Sequence, residues 1–180
     1  MAIFYYLNNK ELIMKIKYII AFLLILLSIL LTILVPGGPI ETRDFSSYSP
    51  FVLTSFNIFL TSLGILSFLA AYLVIKNKAY SVIISAFFAI CYITVYISDL
   101  FKMFPISQIP MPQTLFIIEV VSTILGFILL YICIKYNNLE SKNKENITLK
   151  LSFYKIISLL LVLLFAIGIV IFATKSAMGQ

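Results

Sequence analysis

Histidine is absent from this sequence, and its absence removes several classes of functional site. The chain offers no imidazole ligand for haem or zinc, no HExxH helix and no Ser-His-Asp relay. Its two cysteines, Cys91 and Cys133, fall in different apolar segments at different depths, so we expect neither a disulfide nor thiol exchange. The "GGP" at 37–39 lacks the lysine and the serine or threonine of a phosphate-binding loop. We therefore predict no cofactor and no bound metal.

Charged residues are also scarce. They make up 11% of the chain, hydrophobic residues make up 62%, and the mean hydropathy is +1.12. A soluble domain is typically about a quarter charged. Because so few charged side chains cannot cover the surface of a water-soluble globule, we predict an integral membrane protein.

Long apolar runs are what the sequence does contain. Five of them approach or exceed the roughly 20 residues that cross a hydrocarbon core of about 30 Å. They lack the alternation of membrane barrel strands, so they predict helices. The expected fold is all-α, a polytopic membrane bundle of five transmembrane helices in a single domain (1–180), with a four-helix core and a fifth helix after a longer cytoplasmic loop. The predicted spans are about 18–35, 51–75, 79–98, 114–134 and 156–174.

The basic residues predict the orientation. The N-terminus is expected in the cytoplasm. The first span is read as a membrane anchor and not as a signal peptide, because its apolar run is longer than the apolar core of a signal peptide and no cleavage pattern follows it. Ten lysines then lie inside, against Arg43, Lys102 and Lys175 outside, as the positive-inside rule requires. The C-terminus is expected on the extracytoplasmic side. The abundance of Ile, Lys, Asn and Phe is associated with AT-rich prokaryotic genomes, which suggests a prokaryotic cytoplasmic membrane.

This topology also bears on the partners. The net charge of +6 is explained by the lysine asymmetry. In the connector at 135–155 acidic residues interrupt the lysines and the middle has no aromatic residue, unlike a nucleic-acid surface. The expected partners are therefore the lipid bilayer and either another membrane protein or a second copy of this chain, with no nucleic acid.

Two extracytoplasmic loops are rich in turn-forming residues. The first, at 36–50, contains the charged "ETRD" motif and ends in Ser49 and Pro50, a pair that suits a helix start. The second carries prolines at 105, 110 and 112, which restrict the backbone. We expect both loops to be folded, and tight connections without another role are the alternative.

Polar residues inside the spans mark the candidate site, because an ionisable group in hydrocarbon is costly and normally faces the bundle interior. Their helical spacing places them on inward faces in the outer half of the membrane. We expect Arg43, or alternatively Lys102, to neutralise Glu119 or Asp99 and to fold the first loop over them. The candidate ligand-binding residues are Glu119, Asp99, Asn57, Arg43, Tyr92 and Tyr96, and the candidate loop lid comprises Glu41, Asp44 and Lys102. The alternative is that these residues only pack helices together.

The function expected from these features is non-catalytic. An extracytoplasmic-facing polar pocket fits a solute-binding module, or an accessory module that binds a partner. A small oligomeric transporter or channel is the alternative, but the inner half of the spans offers only serines as polar lining, at 62, 67, 81 and 85. A membrane-embedded enzyme that uses Asp99 and Glu119 is the less favoured reading.

Overall fold

We describe residues 2–34, 40–78 and 80–141 of a computed structural model, with side chains from 13 to 136 within those ranges. Their regular structure is entirely α-helical. The helices are α1 (Ala2–Ile33), α2 (Pro50–Ile75), α3 (Ser81–Leu100) and α4 (Gln113–Ser141). Each contains a segment long and apolar enough to cross a membrane: Ile13–Ile33, Pro50–Ile75, Ser81–Leu100 and Gln113–Tyr136. Four of the five predicted spans are thus confirmed, and the fifth, at 156–174, lies outside the described residues.

Two helix starts differ from the prediction. The first span was predicted to begin near residue 18, but α1 is already helical at Ala2. The segment contains no proline or glycine to interrupt a helix, which explains the longer element. The third helix begins at Ser81 because Asn77 and Tyr80 adopt left-handed conformations, with φ of 54° and 64°, that break the backbone pattern before it.

The starts of α2 and α4 agree with the sequence. Ser49 is the N-cap of α2, Pro50 occupies the first turn, and the Ser49 hydroxyl accepts a hydrogen bond from the Val52 amide. The carbonyl of Pro112 accepts a 3.0 Å bond from the Phe116 amide at the start of α4.

The helices form an antiparallel ring in the order α1, α2, α3, α4, with only a minor diagonal contact between α1 and α3. Small residues allow close contact within this ring. The Ser28 hydroxyl of α1 donates a 2.9 Å hydrogen bond to the Gly64 carbonyl of α2. A Cβ on Gly126 of α4 would lie 2.9 Å from the Ile93 side chain of α3. Gly64 of α2 and Gly126 of α4 therefore lie on the inward faces of their helices, where small residues allow close packing.

The two loops at one end of the bundle pack against each other. The first comprises residues 40–49 and the second residues 101–112, and we call this end the loop end. The Ile106 amide donates a 2.8 Å bond to the Tyr48 hydroxyl, and the Ser107 hydroxyl donates a 2.9 Å bond to the Asp44 carbonyl. The Phe104 ring meets Tyr48 edge-on at 5.4 Å between centroids. Both loops are folded, as their composition predicts.

Candidate functional site

Arg43 joins the first loop to the third helix. Its Nη1 donates to Asp99 Oδ1 at 2.7 Å, and its Nη2 donates to Asp99 Oδ2 at 2.7 Å. The same guanidinium donates from Nε to Glu41 Oε1 at 2.9 Å and from Nη2 to Glu41 Oε2 at 2.6 Å. Each carboxylate therefore binds the guanidinium through both of its oxygens, the arrangement that gives charge-assisted pairs their strength and geometric specificity.

This ion-pair cluster is buried. The side chains of Arg43, Glu41 and Asp99 are 5%, 3% and 11% exposed. The Phe45 ring covers the guanidinium, with its centroid 5.2 Å from the Arg43 Cζ. Burial alone would lower the pKa of Arg43, but the hydrogen bonds and charges of Asp99 and Glu41 outweigh it and raise the pKa above its ordinary range. Arg43 therefore stays charged.

Helix geometry brings the remaining polar groups beneath this cluster. Asp99 lies in the last turn of α3, with Tyr96 one turn and Tyr92 two turns before it, and all three side chains are buried. Glu119 lies in the second turn of α4 and is 3% exposed. Its carboxyl group is close enough to interact with Asp99 and with the Arg43 guanidinium.

A small cavity lies between these residues. Its volume is about 20 Å³, which is room for one water molecule. Its polar walls are Glu41, Arg43, Tyr96, Asp99 and Glu119, and apolar residues including Phe56, Val95 and Pro105 close the rest. Two lining residues keep a buried oxygen without a hydrogen-bond partner in the described part of the chain, namely Oε2 of Glu119 and Oη of Tyr96. The cavity is therefore a polar site with unused hydrogen-bonding capacity.

Polar side chains continue from the cavity towards the middle of the bundle. The Tyr92 ring stacks on Tyr96, with centroids 6.2 Å apart, and its hydroxyl shares a 2.8 Å hydrogen bond with Ser67. The Ser67 hydroxyl also donates to the Leu63 carbonyl at 2.7 Å. Tyr92 thus extends the polar interior but does not line the cavity.

The structure sorts the sequence-predicted candidates. Arg43, Asp99, Glu119, Tyr96 and Glu41 meet at one cavity. Their binding role stays a prediction, since their contacts describe a site and not its ligand. The buried Asn57 has an Oδ1 without a partner among the described residues, and it lies outside the cavity lining.

The remaining two lid candidates lie apart from the cluster. Asp44 is exposed and accepts hydrogen bonds from the Ser46 amide and hydroxyl at 2.8 and 2.9 Å, which lower the pKa of its carboxyl group. Lys102 is exposed in the second loop with φ of 54°. Of the two counter-ions expected from the sequence, Arg43 is the one that lies beside Asp99 in the described part of the chain.

Three contributors were missed from the sequence. Ser28 is the first polar residue in the apolar stretch of α1, which was a usable signal for its contact with Gly64. The buried Ser122 lies one turn before Gly126 on α4, and its spacing of three residues from Glu119 was a usable signal for an inward position. Pro105 closes the cavity from the second loop, and no local sequence pattern indicates that contact.

Four membrane-length apolar helices around a buried ion pair define an integral membrane helical bundle. The chain belongs to a family described as "Domain of unknown function (DUF8051)", whose model matches residues 16–147. The matched region contains every residue that lines the cavity. No curated protein matches the chain, and no solved structure does.

Proposed function

We propose that this protein is a small, non-catalytic integral membrane module whose loop-end cavity binds a small polar solute. The observation that carries the proposal is the pair of buried, unpartnered oxygens on Glu119 and Tyr96, beside a water-sized cavity under the loop that Arg43 holds. A buried polar atom without a partner costs about 1–3 kcal/mol. A bound solute that supplies the missing hydrogen bonds removes this cost.

The engagement of Asp99 favours binding over catalysis. Both of its carboxylate oxygens accept hydrogen bonds from Arg43 at 2.7 Å. A mechanism that uses Asp99 and Glu119 together needs both carboxyl groups free to exchange protons or to hold a divalent ion. Asp99 is committed to a structural ion pair, which leaves Glu119 as a ligand-binding group without a catalytic partner.

The deeper hydroxyl groups favour binding over transport. Ser67 donates to the Leu63 carbonyl, and Ser85 donates to the Ser81 carbonyl at 2.7 Å. These groups are engaged with the helix backbone, whereas a conduction path needs polar groups that can exchange with a moving ion. The transporter or channel therefore remains the alternative proposal.

We propose that the loop end is extracytoplasmic in a prokaryotic cytoplasmic membrane. At the opposite end, Lys17 donates to Asn77 Oδ1, and its Nζ lies 5.9 Å from the Tyr136 ring centroid. The first helix, the α2–α3 turn and the end of α4 therefore share an end that is rich in lysine, which the positive-inside rule assigns to the cytoplasm.

Cysteine labelling tests this orientation. In a background with Cys91→Ala and Cys133→Ala, we expect a membrane-impermeant maleimide to label Ser47→Cys in intact cells. Asn77→Cys should react only after the membrane is permeabilised, since both positions are exposed in the structure. The reverse pattern contradicts the proposed orientation.

A thermal-shift panel tests the binding function. The purified full chain is melted with small neutral hydrogen-bond donors, such as methanol and formamide, and with chlorides of small cations. We expect at least one solute to raise the melting temperature of wild type and of Asp44→Asn, and not that of Glu119→Gln. Asp44 is the matched control, because it is an acidic residue at the same end that lies outside the cavity. A panel without any shift, or a shift that survives in Glu119→Gln, refutes the proposal.

A partner-binding role is the second candidate, supported by exposed apolar side chains at the loop end. Phe51, Phe101 and Met103 are 81%, 73% and 68% exposed. Contiguous apolar patches on a surface often mark sites of contact with another protein or with the membrane. Photo-crosslinking from position 101 in native membranes tests the idea: a discrete crosslinked protein supports it, and crosslinks to lipid alone refute it.

A further inference from the structure

We propose that the solute of the loop-end cavity is ammonium, a water-sized monovalent cation that donates hydrogen bonds. The inference rests on the proposed function, because it names the ligand of the same site.

Charge is the first argument. Three carboxyl groups, those of Glu41, Asp99 and Glu119, line the cavity together with the single guanidinium of Arg43. Even with a proton on Glu119, the two carboxylates bound to Arg43 leave one negative charge in excess. Such an excess in a buried, weakly screened site attracts a cation and repels an anion.

Hydrogen-bonding capacity is the second argument. The unpartnered atoms beside the cavity are Glu119 Oε2 and Tyr96 Oη. An ionised carboxylate only accepts hydrogen bonds, and a tyrosine hydroxyl either accepts or donates. A carboxylate oxygen has room for about two bonds. Oε1 of Glu41 already accepts from the backbone amide and Nε of Arg43, but Oε2 of Glu41 and both oxygens of Asp99 each accept only one bond from Arg43. A ligand that donates hydrogen bonds and accepts none therefore matches the acceptor oxygens around the cavity.

Size and coordination then select among cations. The cavity of about 20 Å³ admits a particle the size of one water molecule, which excludes larger organic amines while the loop is in place. Within residues 2–34, 40–78 and 80–141, no group of three or more His, Cys, Asp or Glu side chains is arranged to hold a metal ion. A divalent cation needs about six oxygen ligands, whereas ammonium needs at most four hydrogen-bond acceptors.

The test measures thermal stability of the full-length protein in detergent at constant pH, chloride concentration and ionic strength. Ammonium chloride is compared with potassium chloride and tetramethylammonium chloride. At a hundredfold excess over its Kd, we expect ammonium to raise the melting temperature by about 5–10 °C. We expect no shift from tetramethylammonium, which donates no hydrogen bonds and is too large. We expect a smaller shift from potassium, which matches ammonium in size and can coordinate oxygen atoms but donates no hydrogen bonds.

Two variants and one control localise the effect. Glu119→Gln should abolish the ammonium shift, because it replaces an accepting carboxyl oxygen beside the cavity with an amide nitrogen, which donates hydrogen bonds and accepts none. Tyr96→Phe should raise the apparent Kd about tenfold, since it removes one hydrogen-bond partner of a cation. Asp44→Asn should retain the full shift. If Glu119→Gln does not fold, the Tyr96→Phe titration decides.

The outcomes separate this inference from the function on which it rests. A shift with potassium equal to that with ammonium overturns the inference, because size and charge would then suffice. A shift with methanol or formamide alone overturns ammonium as the ligand and leaves the binding function standing. No shift with any of these solutes overturns both.

Discussion

Replacement of Arg43 by glutamine should strongly destabilise the protein. Asp99 and Glu41 would be left as carboxylates whose side chains are 11% and 3% exposed, without the guanidinium that each now binds through both oxygens. Removal of one partner from a buried ion pair costs about 3–5 kcal/mol, since the remaining charge stays desolvated. An exposed pair contributes about 0–1 kcal/mol, so the two situations are well separated.

A double-mutant cycle isolates the Arg43–Asp99 interaction from other effects of each substitution. The variants are Arg43→Gln, Asp99→Asn and the double variant, in which an amide pair replaces the ion pair. Unfolding is followed by circular dichroism in a denaturing detergent, since the chain has no tryptophan to report by fluorescence. We expect a coupling energy of about 2 kcal/mol or more. The double variant should therefore lose less free energy of unfolding than the two single variants lose together.

The matched control combines Arg43→Gln with Asp44→Asn. Asp44 directly follows Arg43 in the sequence, but its side chain accepts a hydrogen bond from Ser46 and is exposed to solvent. These two substitutions should be additive within about 0.5 kcal/mol. A coupling between Arg43 and Asp99 below that value would show that the loop is held by its backbone and aromatic contacts, and would refute the reasoning.

Three further predictions concern the interior and the loop. Tyr92→Phe removes the hydroxyl that bonds Ser67 at 2.8 Å and should cost about 1 kcal/mol, measured by the same unfolding assay; no loss would contradict the bond. Gly126→Ala should cost about 1–3 kcal/mol, because its Cβ would lie 2.9 Å from a side-chain carbon of α3, and a neutral result would mean that α3 and α4 separate easily. Asp44→Asn should lower the melting temperature slightly at neutral pH, because the Ser46 bonds lower the folded-state pKa of Asp44 below its ordinary 3.8. That difference should fade as the pH falls below this value, whereas a difference that persists in acid would contradict the carboxylate's role.

The spans and their inward faces were predictable because hydrocarbon imposes strong rules on sequence. An uninterrupted apolar run of membrane length has few alternatives to a helix, and helical spacing then places Tyr92, Tyr96 and Asp99 on one side of α3. The N-terminal part of α1, before its membrane-length segment, was not predictable from hydropathy, since residues 2–12 are helical without being strongly apolar.

The residues of the polar site were predictable from the sequence, but the carboxylate that pairs with Arg43 was not. Arg43 needed a counter-charge, but Glu119 and Asp99 were equal candidates from sequence. The structure pairs Arg43 with Asp99 because Asp99 lies in the last turn of α3, next to the loop, whereas Glu119 lies deeper, in the second turn of α4. The cavity's size depends on where Pro105 and Phe56 close it, and contacts between distant segments are not encoded in local spacing.

The chain separation of the two carboxylates around Arg43 has a consequence for biosynthesis. Glu41 is two residues from Arg43, so their pair needs only the first loop, whereas Asp99 is 56 residues further along the chain. A nascent chain that has delivered only its first hairpin to the bilayer already carries a locally neutralised arginine. The later arrival of α3 then converts that local pair into a tie between the two halves of the molecule.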